Sequence, residues 1–275
     1  MTVLTRSAVR LGMLVGLQLV VFAMPAKARG GQTDASDSRI KLGDREFYSK
    51  GRYVAFAAPW CADGKKDLVV GRDISGSIFL DSGRFPAQTS IVSRAPNVSP
   101  NVHGCGVYAY NHIAFGNYNG GIPKTAVAPV QISSIRRLTA SFSLHHEGQG
   151  EYNVLQEYFL RSSISPPGRQ VAELGFFQHA STSAITFAKS GKRYADYRDS
   201  EGRVWQVYRK VRYFMFFPAK GDLSSGRMDM HHVLEEMVRR RLLKGTEWFT
   251  GMAIGVEPVT GQSSLTVRQW DVSLE

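Results

Sequence analysis

The chain of 275 residues contains only two cysteines, Cys61 and Cys105, and they are not in CxxC spacing. Two such thiols are too few for a structural zinc site. Long hydrophobic runs are scarce as well: beyond residues 11–24, no stretch is apolar enough to cross a bilayer as a helix. There is no internal repeat, no low-complexity tract and no G-x-S-x-G elbow. Solenoid and elbow-esterase readings therefore lack support. Lys and Arg outnumber Asp and Glu by 34 to 23, but the basic residues are scattered and cluster only at Arg239-Arg240-Arg241. No nucleic-acid stripe results, and the excess suits a soluble protein weakly attracted to anionic polymers. The histidines His145-His146 and His231-His232 are adjacent pairs. Neighbouring side chains diverge on a strand or helix, so no metal site and no cofactor are expected from them.

What is present begins with an export signal. Arg6 and Arg10 make a basic start, residues 11–24 an apolar stretch, and Ala26-Lys27-Ala28 a small-x-small cleavage site. Residues 1–28 are read as a signal peptide, which places the mature protein in a periplasm or outside the cell. Taking Arg6, Arg10 and Lys27 from the formal +11 leaves +8. Residues 29–40 are polar and Gly/Ser/Asp-rich, a flexible tail by composition. Residues 41–275 then form one domain, expected to be a monomer with no membrane partner. In an oxidising compartment Cys61 and Cys105 are expected to bridge, although spacing by itself does not bring them together.

The domain reads as strand after strand. Short apolar or alternating segments at 52–60, 67–71, 77–81, 106–115, 127–132, 138–145, 152–161, 171–179, 184–187, 194–196, 204–217, 247–257 and 264–274 are separated by Gly, Pro, Asn and Asp. One helix interrupts them. Met230, Val233, Leu234, Met237, Val238 and Leu242 form a single apolar stripe over 229–244, with Asp229 placed to cap its start and Gly245 to end it. The pattern predicts an all-β, two-sheet sandwich of the jelly-roll kind, with a concave cleft and one amphipathic helix packed on the back.

The hairpin at 152–179 carries the chemistry. A turn centred on Ser165 places Glu157 opposite Glu173, with Asn153, Glu157 and Phe159 on one face and Tyr152, Val154, Tyr158 and Leu160 on the other. Two adjacent acids repel, which raises the proton affinity of one of them. In a slightly different register they would instead be two solvated carboxylates. Both readings stand on pattern alone.

The order of motifs in this half resembles family 12 of the glycoside hydrolases, secreted endo-β-1,4-glucanases and xyloglucanases. The family's Y-N-V strand is similar to Tyr152-Asn153-Val154-Leu155-Gln156-Glu157-Tyr158-Phe159-Leu160, and its E-I-M-I-W strand to Glu173-Leu174-Gly175-Phe176-Phe177. A short aromatic segment, a helix and a G-T-E-P-F-x-G strand follow there. Here they are matched by Arg212-Tyr213-Phe214-Met215-Phe216, the helix, and Gly255-Val256-Glu257-Pro258-Val259-Thr260-Gly261. Upstream, Tyr110-Asn111-His112-Ile113-Ala114-Phe115-Gly116, Pro129-Val130-Gln131-Ile132-Ser133-Ser134 and Ala58-Pro59-Trp60 are similar to further family segments.

The resemblance implies Glu173 as nucleophile, Glu257 as acid/base and Glu157 as helper, acting on a β-glucan substrate without a cofactor. It also implies substrate contacts from Trp60, Asn153, Phe159, Phe177, Tyr110 and His112. Departures from the family are Glu157 in place of an Asp, Phe159 and Phe177 in place of tryptophans, Gly175 in place of a Met, and no Asn before Trp60. Two functions follow: a secreted retaining endo-glucanase, or a carbohydrate-binding sandwich that has lost turnover. Trp60 and Phe177 can equally be sandwich core.

Overall fold

A computed structural model describes residues 38–118, 125–165 and 168–275. The expected signal peptide, most of the expected tail and the two prolines of the hairpin turn lie outside the described residues. Among these residues the strands form two sheets. The smaller runs β1 (Arg39–Leu42), β4 (Ser75–Asp81), β5 (Thr89–Ala95), β17 (Gly261–Leu274), β8 (Leu138–Gln149), β15 (Ser225–Asp229). The larger runs β11 (Lys192–Arg193), β13 (Val204–Lys210), β14 (Tyr213–Pro218), β10 (Gln170–His179), β9 (Tyr152–Arg161), β16 (Trp248–Pro258), β6 (Asn111–Gly116), β3 (Tyr53–Phe56), β2 (Phe47–Lys50). Off this path, β12 (Tyr197–Arg198) pairs with β13, and β7 (Val130–Gln131) with β16. Every named strand pair is antiparallel except β10 with β14.

Alternation decides what each face holds. Val154, Tyr158 and Leu160 of β9 and Leu174 and Phe176 of β10 point inward, where they meet Ile78, Ile91, Leu144 and Val267 of the smaller sheet. Phe176 stacks on Phe216 with ring centroids 4.3 Å apart. Fully burying a side chain of this size contributes roughly 1.5–3 kcal/mol, so this interior supplies most of the driving force for closing the sandwich. Gln156 is also inward and fully buried, and its Oε1 accepts from Trp270 Nε1 at 3.0 Å. That bond ties β9 to β17 across the core and satisfies a polar group that would otherwise be costly to bury.

The sandwich expected from the pattern is present, with several local differences. The strand β1 starts at Arg39, so the last two residues of the expected tail are ordered in the smaller sheet. β1, β2, β5 and β15 add to the sequence-based set, and the segment 204–217 is two strands, β13 and β14, turned at Val211 with a left-handed backbone (φ 56°). Residues 184–187 are not a strand but part of α1 (Thr182–Lys189), because the Ser181 hydroxyl caps it by accepting from Ala184 N. Residues 67–71 hold only an isolated bridge, Val70 to Ile74. The stretch 194–196 lies between the two short pairings of β11 and β12.

The amphipathic helix is α2 (Met230–Arg239), capped by the Asp229 carboxylate accepting from His232 N at 3.0 Å. It ends five residues before the expected 244. Arg241 takes a left-handed backbone (φ 59°), and Glu236 draws Arg239 and Arg240 back over the last turn. Its buried stripe of Met230, Val233, Leu234 and Met237 joins the main core. Cys61 and Cys105 form a disulfide, with Cα atoms 6.0 Å apart.

Candidate active site

The outward face of the larger sheet carries the carboxyl groups. Glu173 pairs with Phe159 and Gly175 with Glu157, a register two residues away from the one expected. An even shift leaves every side chain on its expected face, so Glu157 and Glu173 remain neighbours, as a diagonal rather than a direct pair. The next strand over adds Glu257, which pairs with Asn153, while Ala253 of the same strand pairs with Glu157.

The three acids have different partners. Glu157 is 4 % exposed, and the Tyr118 hydroxyl donates to its Oε2. Glu157 and Glu173 share a hydrogen bond, and Gln170 Nε2 donates to Glu173 Oε2 at 3.1 Å. Burial, then the neighbouring Glu173 charge, pushes the Glu157 carboxyl well above the usual range. Burial also raises Glu173, but the hydrogen bond from Glu157 opposes the rise. Of the two, Glu157 holds a proton more tightly, so when the pair shares one proton Glu157 donates it to Glu173.

Glu257 is the third group. Burial first, and then Glu157, pushes its carboxyl up to about 8, against a lowering hydrogen bond from Asn153. Because Glu157 is itself protonated, burial is the main cause. Asn153 Nδ2 donates to Glu257 Oε2 at 3.0 Å, while Asn153 Oδ1 accepts from the backbone N–H of Ser181 at 2.8 Å. Asn153 is only 2 % exposed, so it orients Glu257 from below instead of lying open to a ligand.

Other expected contact residues divide in the same way. Phe177 is 2 % exposed and stacks on Phe217 at 4.5 Å, so its ring is core and not an open platform. Tyr110 is buried, with its hydroxyl donating to the Leu155 carbonyl at 3.1 Å. His112 stacks on Tyr110 at 4.9 Å and lies beneath the surface. Its Nδ1–H donates to the Tyr110 carbonyl at 2.6 Å, and burial lowers its pKa to about 4, so the ring is neutral. Gly255 makes room for it, since a Cβ there would come within 2.6 Å of the His112 Cβ. Only Trp60 and Phe159 of the expected aromatic contacts keep part of their rings exposed. Trp60 lies in a short 3-10 turn at Trp60–Ala62 beside the disulfide, and Phe159 stacks on Tyr118 at 5.0 Å.

Two tyrosines complete the site: Tyr118, which no sequence motif marks, and Tyr213, which lies in the family-like aromatic segment but is not among the expected contacts. Tyr118 buttresses Glu157. Tyr213, beside Glu173 across the parallel β10–β14 pair, feels all three carboxyls, and burial with Glu157 holds its hydroxyl well above its usual pKa. Tyr213 also explains Gly175: a Cβ there would lie 2.9 Å from Cε2 and 3.0 Å from Cζ of the Tyr213 ring. The space left by the missing side chain is filled by a tyrosine from the next strand. Gly175→Ala is expected to displace that ring, lower the melting temperature by several degrees and reduce any hydrolytic kcat by about tenfold, the effect of about 1.4 kcal/mol. Thermal unfolding and steady-state assays check both.

Two hydrogen-bonded carboxyls flanked by donors, beside a third that burial raises to about 8, are the equipment of acid/base and nucleophilic chemistry. No family profile and no curated protein matches the sequence. Solved structures do. A family 12 xyloglucanase from Bacillus licheniformis, in complex with ligand, superposes with a TM-score of 0.69 at 18 % identity, covering 86 % of this chain and 100 % of that one. The fold is that of the family 12 glycoside hydrolases. An endoglucanase from Rhodothermus marinus (TM-score 0.66, 18 % identity, 86 % and 99 % covered) has the same family 12 fold. So does endoglucanase 3 from Trichoderma harzianum (TM-score 0.66, 15 % identity, 89 % and 100 % covered).

Proposed function

We propose that the protein is a secreted retaining glycoside hydrolase that cleaves internal β-1,4-glucosidic bonds of a glucan. Residues 41–275 would be its catalytic domain. The observation that carries this reading is the convergence of three carboxyls from neighbouring strands: Glu157 and Glu173 share a hydrogen bond, and Glu257 is held by Asn153 on the next strand. The family 12 fold of the solved structures agrees with it.

In this reading the Glu173 carboxylate attacks the anomeric carbon as the bond from that carbon to the leaving oxygen breaks. Glu257 gives its proton to that oxygen. The product is a glycosyl ester on Glu173 and a carboxylate on Glu257. Glu257 then takes a proton from water, the water oxygen attacks the anomeric carbon, and Glu173 leaves. Glu157 donates its hydrogen bond to Glu173 throughout, which aims the nucleophile and stabilises it as leaving group. Tyr118 and Tyr213 hold that proton network in place. Trp60 and Phe159 supply the aromatic surface for sugar rings.

Export agrees with the disulfide, which persists in oxidising compartments. Among the described residues no helix is long and apolar enough to cross a membrane. A binding module without turnover is the second reading, favoured by Gly175 and by Phe159 and Phe177 standing where the family has a Met and tryptophans. Reducing-end release from carboxymethylcellulose, mixed-linkage β-glucan, xyloglucan and xylan separates the two. Turnover on a β-glucan is expected, and retardation on an affinity gel without any turnover would establish the binding module instead.

A further inference from the structure

A second group of convergent side chains lies away from the three acids, at one end of the sandwich. His146 belongs to β8 of the smaller sheet, His179 ends β10 of the larger, and Asp222 lies in the connection from β14 to β15. Three ligand atoms, one from each residue, lie within 4.8 Å of one another. His179 Nδ1 is 2.8 Å from Asp222 Oδ2, and His146 Nε2 is 3.9 Å from the same oxygen. Tetrahedral ligands about 2.0–2.1 Å from a zinc ion stand about 3.4 Å apart, so closure requires shifts of about 1 Å.

The backbone sets this convergence. Leu223 N–H donates to the Gln178 carbonyl at 2.9 Å, and Leu144 N–H to the Ser224 carbonyl at 2.7 Å. These two bonds hold Asp222 between β10 and β8, next to both histidines. The other ring nitrogen of His146 is engaged as well: Nδ1 lies 3.0 Å from the Tyr152 hydroxyl. In the tautomer that donates Nδ1–H to that hydroxyl, Nε2 carries the free lone pair, the arrangement found behind metal-bound histidines.

We propose that His146 Nε2, His179 Nδ1 and Asp222 Oδ2 form a binding site for a divalent transition-metal ion of the zinc type. Two imidazoles and a carboxylate are a donor set for zinc, cobalt, nickel or copper rather than for calcium or magnesium. The ion replaces the proton shared between His179 and Asp222, and water completes its coordination on the solvent side, where the Asp222 side chain is 51 % exposed. Bound there, it joins the two sheets two residues before Ser181, whose N–H holds Asn153 under Glu257. The adjacent-pair argument from sequence still holds, because His145 faces solvent. The site takes one histidine of the pair and finds its partners on distant strands.

The test uses tag-free protein stripped with a chelator and titrated with cobalt(II), read by its visible ligand-field bands. Melting temperature is followed in parallel with zinc(II). Neither readout depends on catalysis, so the result is independent of the proposed hydrolase activity. The expected result is saturation at one equivalent with bands of four-coordinate cobalt and a rise in melting temperature with zinc. Asp222→Asn and His179→Gln should each weaken binding at least tenfold. Tyr152→Phe, which removes the support behind His146, should weaken it by about 10–100-fold. Asp222 is on an exposed connection, so its variant should melt like the metal-free parent and provides the folding control. Absence of both the bands and the thermal shift would overturn the proposal. Titrations unchanged in Asp222→Asn and His179→Gln would overturn it too, by placing the metal elsewhere.

Discussion

Glu173→Gln is expected to fold and bind polymer but to lose kcat by at least about 10⁴-fold, the scale on which removal of a covalent nucleophile acts. The amide keeps the size of the side chain and can still accept from Glu157 and pair with Gln170, so packing around it survives. What disappears is the anion. Glu157 offers no substitute, because it is buried, protonated and turned toward Glu173 and Tyr118. Glu173→Ala opens a cavity beside the anomeric position, and azide added to that variant should restore turnover by attacking from the vacated side. The expected product is a glycosyl azide of inverted configuration. Steady-state kinetics and proton NMR of the product check both halves. Turnover in Glu173→Gln close to the parent value would remove this residue from the mechanism.

Glu257→Gln should lower kcat on polymer by about 10²–10⁴-fold, the usual range for a lost general acid. The loss should be far smaller on an aryl glycoside whose leaving group needs no proton. The pH profile gives a sharper signature. An acid that titrates at about 8 is protonated below that pH and spent above it, so kcat/KM should fall on an alkaline limb near pH 8. In Glu257→Gln that limb should vanish.

Stability follows the same group. A carboxyl with an unperturbed value of 4.5 that is raised to about 8 binds more protons in the folded chain across that window. Its favourable contribution is complete below about pH 4.5 and is lost as pH rises toward 8. The melting temperature of the parent should therefore decline between pH 5 and pH 8 by more than that of Glu257→Gln, a comparison scanning calorimetry makes directly. A raised Glu157 and Glu173 act in the same direction, so the variant removes part of the slope and not all of it.

Strand periodicity made the two faces of the hairpin legible, because side chains alternate with a period of two and the apolar set is continuous on one side. It could not distinguish registers that differ by two residues, since those keep the same faces. The pairing of Glu173 with Phe159 had to come from the structure. The contact of Asn153 with Glu257 spans 104 residues, and no local pattern encodes it. Tyr118 and Tyr213 read as ordinary aromatics in sequence and reveal their roles only through the carboxyls they face. Phe177 shows the opposite case: its place in a motif suggested an open ring, but stacking on Phe217 of a neighbouring strand buries it. In residues 184–187 of α1 four mixed residues fit a strand as well as a helix, and the capping Ser181 decides for the helix.

The account rests on cleavage of a β-glucan with retention at the anomeric carbon. Proton NMR of a soluble mixed-linkage β-glucan, recorded from the first minutes after adding the protein, tests that claim in a single experiment. The account predicts new reducing ends that appear first as the β-anomer and reach the α-anomer only through mutarotation. First appearance of the α-anomer would contradict the double displacement. No new reducing ends on any β-glucan, from protein that still binds the polymer, would contradict the hydrolase itself.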